Sequence, residues 1–197
     1  MRPGPRAHGD RGAIFPLYIA IVTIILLVAF LFFVFAQAAV TRGGGQSAAD
    51  ASALAAARES RDHLYEMFRD AVLDGEDLAD ILEGVDFRTD AACADAAPRL
   101  AGQNNARVIS CAPDRARIGY TVEVETLDTV GESFIPGTEN QTATATATAV
   151  VAARCETRSE DEERIELDCD DRNWAFDPRE DGELPEARDL FQVYLDD

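Results

Sequence analysis

The sequence predicts an α+β fold: a single N-terminal transmembrane helix continues into a second, Ala-rich helix, which packs on a small antiparallel sheet. Three observations lead there. Residues 13–39 read AIFPLYIAIVTIILLVAFLFFVFAQAA, with no charged side chain. Residues 47–73 are rich in alanine with apolar residues near helical spacing, and two later segments alternate at period two. The four cysteines all fall beyond the apolar run.

Residues 1–12 form a short basic tail, expected on the cytoplasmic side. The span follows as residues 13–40. A membrane-crossing helix needs roughly 20 apolar residues, because the hydrocarbon core is about 30 Å thick and the helix rises about 1.5 Å per residue. Pro16 sits in the first turns, where early N–H groups lack helical partners in any case. Arg2, Arg6 and Arg11 precede the span with Asp10, whereas Arg42 alone follows closely. The positive-inside bias therefore places the N-terminus in the cytoplasm and the later residues outside. A cleaved signal peptide is the competing reading, since Ala36-Gln37-Ala38 is an A-x-A-like site, but signal h-regions run about 7–15 residues. A buried core helix fits a run this long and uniformly apolar less well.

Charge sharpens the picture. The tail carries about +2, leaving about −21 on the remainder of a chain whose net charge is −19. Such a surface is unsuited to nucleic acid, which needs clustered basic residues, and repels anionic headgroups. All 18 basic residues are arginine.

Gly43-Gly44-Gly45 is expected to break or bend the helix, and Ser47 with Asp50 fits an S-x-x-D cap for the second helix within residues 41–73. Ala49, Ala53 and Ala57 recur every four residues, a narrow seam that would let another helix approach closely. The plainer reading is a good helix former with a small-residue face.

Residues 74–154 are expected to form a small α+β extracytoplasmic domain. Residues 75–82 read as a short acidic helix or turn, and Pro98 limits an ambiguous segment at 91–100. Strands are expected at 107–111, at 117–127 and at 141–154, where Thr and Ala alternate. A Pro-Gly pair at Pro136-Gly137 marks a connection, and Asn140-Gln141-Thr142 matches the N-glycosylation pattern. An O-glycosylated stalk at 141–154 is the alternative, though such stalks are also Pro-rich.

Residues 155–197 read as an acidic C-terminal extension, with Trp174 and Phe176 packing back on the sheet and a short helix at 186–195. Asp168-Cys169-Asp170 begins like a calcium loop, but Arg172 sits where a third oxygen ligand belongs. Cys93, Cys111, Cys155 and Cys169 allow three disulfide pairings; the local one, Cys93–Cys111 with Cys155–Cys169, is preferred because each closes a short loop. No C-x-x-C pair suggests zinc. His63 reads as a helical surface residue. With no nucleophile elbow and no phosphate loop, the chain is expected to be no enzyme, to need no cofactor or metal, and to take no small-molecule substrate.

The residues Arg11–Pro16 (RGAIFP), the single span and above all the block QSAADASALAAA at residues 46–57 resemble TadE/TadG-like pilus-assembly proteins of tight-adherence (Flp, type IV-related) systems. QNNARVISC at 103–111 with the following strands is similar to their small exported domain. The resemblance implies a single-pass, pilin-like structural or assembly component at the cell membrane, packing helix to helix against other pilus or secretion subunits. Leu17 stands where prepilin peptidase substrates commonly carry Glu, five residues after Gly12. The D-x-S-x-S metal motif of larger relatives is absent. The alternative, from another class, is a membrane-tethered acidic module that captures a cationic ligand or partner.

Overall fold

The computed structural model describes residues 14–129, 142–161, 164–178 and 184–196. The N-terminal tail, the Pro136-Gly137 connection, Asn140 and the end of the acidic run at 162–163 lie outside them. The chain divides into two compact units, residues 1–40 and 41–197.

Helix α1 is Ile14–Asp74, 61 residues without a break. The expected break at Gly43–Gly45 is absent, so no separate second helix begins after it. Interrupting the helix would strand several N–H and C=O groups and require a second costly nucleus. The cost of stopping and renucleating the helix outweighs glycine's penalty of about 1 kcal/mol per residue. Ser47 therefore lies inside the helix and does not cap it; the neighbouring Gln46 amide donates to Asp50 Oδ1 at 2.7 Å, one turn on. The helix stops at Gly75, whose φ of +71° is a left-handed conformation glycine adopts freely. The Glu76 N–H donates to the Ala71 carbonyl at 3.0 Å, closing a Schellman motif.

In the second unit, four strands form an antiparallel sheet of order β1-β2-β3-β7: β1 (Ala106–Pro113), β2 (Gly119–Thr126), β3 (Thr144–Ala153) and β7 (Phe191–Asp196). Period two sorts β2 cleanly. Tyr120, Val122, Val124 and Thr126 are buried, while Thr121, Glu123 and Glu125 lie on the other face. In β3, Ala147 and Ala149 face the core, and Thr144 and Thr146 are exposed. β1, β2 and β3 each begin and end within a few residues of their expected bounds.

Residues 45–72 of α1 cover the inner face. Their small side chains permit a close approach: a Cβ on Gly45 would meet Thr126 Cγ2 at 3.4 Å and the Ala143 and Ala145 Cβ atoms at 3.8 Å. Further along, larger side chains take over, with Leu64 and Phe68 fully buried. One core thus joins the helix, β2, β3 and β7. Full burial of a Leu or Phe side chain stabilises by about 1.5–3 kcal/mol, so these two contribute at the scale of the whole unit's stability.

Between α1 and β1 lie α2 (Ala79–Leu82), a π-helical turn (Ala92–Ala96) and α3 (Ala97–Gln103), with Pro98 in the first turn of α3. Tyr120, 1% exposed, anchors this stretch: its hydroxyl accepts from the Thr89 N–H at 3.1 Å, and Phe87 packs on its ring edge-to-face at 5.9 Å.

Residues beyond 154 do not stand apart from the domain. Strands β4 (Cys155–Asp161), β5 (Arg164–Cys169) and β6 (Trp174–Phe176) form a second antiparallel sheet. Ile165, Leu167 and Phe176 bury its inner face in the same core. The helix expected at 186–195 is a single turn, α4 (Ala187–Leu190), followed by β7. Phe191, Val193 and Leu195 alternate, and pairing with β3 (Ala153↔Phe191, Val151↔Val193, Ala149↔Leu195) overrides their helical spacing.

Candidate functional site

Three groups of residues carry the sequence's functional expectations: the span, the alanine seam and the cysteines. Within α1, Phe15–Phe33 is long and apolar enough to cross a membrane, with a mean hydropathy of 2.8, and none of it is buried by the rest of the chain. Its large side chains face outwards; Phe32 is 77% exposed. Thr23 adds no unsatisfied hydroxyl, because its Oγ1 donates to the Ile19 carbonyl one turn back at 2.8 Å. Such a helix needs an apolar surrounding. Ile24, Ile25, Val28, Ala29 and Phe32 shape a shallow apolar groove along one side.

The alanine seam has a different setting. Ala49, Ala53 and Ala57 are each 0% exposed, inside the chain's own core. The close approach that small residues permit is already used, by the helix against its own sheet. The seam is therefore no surface for a partner helix in the folded protein, and the expected role of these three residues in assembly is replaced by an internal packing role. His63 is half-buried on the same helix.

The cysteines pair locally. Cys93, in the π-helical turn, bonds Cys111 of β1, and Cys155 of β4 bonds Cys169, its cross-strand partner on β5. No cysteine is left free. The first bridge ties the helical segment to the sheet edge. The second ties β4 to β5 at the residues where their pairing begins.

Among the described residues no three His, Cys, Asp or Glu side chains converge as metal ligands would. Asp170, the last residue of the calcium-like tripeptide, and Asp171 after it both pair with Arg154. That pairing raises the Arg154 guanidinium further above its usual range, chiefly through the Asp171 hydrogen bond.

A cleft of about 410 Å³ opens between residues 84–88 and 114–118. Two of its charged residues, Asp114 and Arg117, are engaged. Asp114 Oδ1 accepts from the Ala116 and Arg117 N–H groups at 2.8 and 2.9 Å, and Arg117 pairs with Asp196. On the outer face of the first sheet, Glu125 accepts from the Thr142 hydroxyl at 2.7 Å and from Arg107 across the β1–β2 pair. These contacts, Thr142 first, hold its carboxyl below the usual carboxylate range. The outer face is otherwise a threonine-rich polar surface, with Thr121 and Thr148 hydroxyls 2.9 Å apart.

Together these features define an α+β protein with one N-terminal apolar helix able to cross a membrane and two disulfides. No family model matches the chain, and no curated protein or solved structure matches it.

The sequence reading missed β7 and the independent second sheet. A signal for β7 was present in the alternation Phe191-Gln192-Val193-Tyr194-Leu195, which competes with helical spacing over so short a run.

Proposed function

We propose that the protein is a membrane-anchored, pilin-like structural or assembly component of a tight-adherence (Flp, type IV-related) pilus or secretion apparatus. The N-terminus lies in the cytoplasm and the disulfide-bonded unit outside the cell membrane. One observation carries this reading. A single unbroken helix supplies an exposed apolar stretch at residues 15–33 and, further along, the covering layer of an α+β core. The apolar stretch needs lipid or other spans around it, while the core needs nothing further. Two disulfides suit an oxidising compartment, and the RGAIFP and QSAADASALAAA blocks supply the family resemblance.

Partners then meet the span, not the alanine seam. Because no native cysteine is free, single cysteines placed at positions 24, 25, 28 and 29 on one face and at 23, 26 and 30 on the other report contacts cleanly. Oxidation in native membranes is expected to give cross-linked species from one helix face, with the opposite face silent. A chain that stays monomeric at every span position would sink the assembly role.

The other reading is a tethered acidic module that binds a cationic partner, favoured by the charge of about −21 beyond the tail. Deleting everything after Cys169 cannot separate the two, since it also removes β6 and β7. Replacing exposed acids, such as Asp168→Asn with Glu156→Gln, is expected to leave the fold intact. Loss of partner capture with unchanged span cross-linking would favour the binding module.

A further inference from the structure

We infer that Gly43-Gly44 is a built-in opening point in helix α1, where the helix unwinds locally while the rest of it stays closed. The argument sets steric need against helix propensity. Glycine is retained inside elements when a left-handed φ or a close backbone approach demands it. Neither holds for these two residues. They have no positive φ, and a Cβ built on Gly43 or Gly44 meets nothing within 4 Å. Gly45 differs, since its Cβ would touch Thr126 at 3.4 Å, an ordinary packing distance. Alanine would therefore fit without strain at 43 and 44, in a chain that uses alanine at most neighbouring helical positions.

What the glycines do supply is weakness. Alanine is favoured over glycine about five-fold per helical position, so the pair at 43 and 44 raises the local opening equilibrium roughly 30-fold. The glycines lie just inside the second compact unit, which begins at Thr41. Beyond them, Ala48, Ala49, Ser52 and Ala53 are fully buried and hold the helix closed. Local opening at this point is a property the assembly reading does not itself require.

Hydrogen–deuterium exchange on the full chain in monomeric detergent micelles tests this. The amides of residues 43 and 44 are expected to exchange far faster than those of 48–57. In Gly43→Ala/Gly44→Ala they should slow about 30-fold, with exchange at 48–57 and the thermal midpoint of the folded unit unchanged. Wild-type protection at 43 and 44 equal to that at 48–57 would overturn the inference. So would an exchange rate at 43 and 44 that alanine leaves unaltered. If the double variant instead changed only oligomerisation in membranes, the glycines would be a close-packing surface and the opening role would fall. Neither exchange result depends on whether the span cross-links, so this inference and the assembly reading fail separately.

Discussion

At the scale of single residues, the alanine seam is where sequence and structure part most sharply. Spacing placed Ala49, Ala53 and Ala57 on one narrow face, which is correct, but it could not say what lies opposite. The opposing surface comes from strands some 70–100 positions later, and no local pattern encodes that pairing. Ala53→Leu should consequently act inside the molecule. Overpacking a well-filled core costs about 1–3 kcal/mol, which for a chain of this size lowers the thermal midpoint by about 2–4 °C per kcal/mol. The loss should appear in purified, monomeric protein; an unchanged midpoint would return the seam to a partner.

Ser60 points the other way. Its hydroxyl is buried with no hydrogen-bond partner among the described residues, and an unsatisfied buried group costs about 1–3 kcal/mol. Ser60→Ala removes that cost and adds helix propensity, so the midpoint is expected to rise. Glu125 sets the acid response of the outer sheet face. Its folded carboxyl lies below the ordinary glutamate range of about 4.3. The stabilisation is therefore present above that value and lost as pH falls through the depressed folded pKa. Glu125→Gln should be less stable than wild type at pH 7 and should converge with it in strong acid. Thermal midpoints measured across pH 2–7 would decide it, and parallel curves would show that Glu125 is not coupled to folding.

Among the elements, those governed by short-range chemistry were legible. The span followed from hydrophobicity, and β2 and β3 from alternation, since Tyr120-Thr121-Val122-Glu123-Val124 and the Thr–Ala repeat leave little choice of face. The local disulfide pairing was preferred on loop length. Elements that depend on a distant neighbour were not legible. β7 became a strand because β3 offers it an edge, and the helix passed through Gly43–Gly45 because breaking it leaves backbone groups without partners. The two bridges close spans of 18 and 14 residues. In the chain-entropy model, loops of this length are each worth about 3 kcal/mol and differ little from one another. Replacing either pair by serine should cost similar stability in denaturant titrations. A much larger loss at Cys155–Cys169 would mean that the second sheet depends on its bridge for folding.

For the whole molecule, the strand order β1-β2-β3-β7 inserts the entire second sheet between two adjacent strands of the first. The second sheet is thus an excursion in one connection, tied at its base where Cys155 faces Cys169 and Arg154 reaches Asp170 and Asp171. Deleting residues 191–197 should expose the edge of β3 and uncover Val151 and Leu190, which Phe191 and its neighbours accompany in the core. Loss of a single cooperative unfolding transition is the expected result, and a fully cooperative truncated protein would show β7 to be dispensable.

The same strand order imposes a schedule on biogenesis. A ribosome releases β3 some forty residues before it releases β7, so the nascent sheet waits with one flank open while the intervening hairpins emerge and oxidise. Maturation of the first sheet is gated by the codons for residues 191–196. A premature stop just before them would leave the flank of β3 open, however much of the unit had already been made.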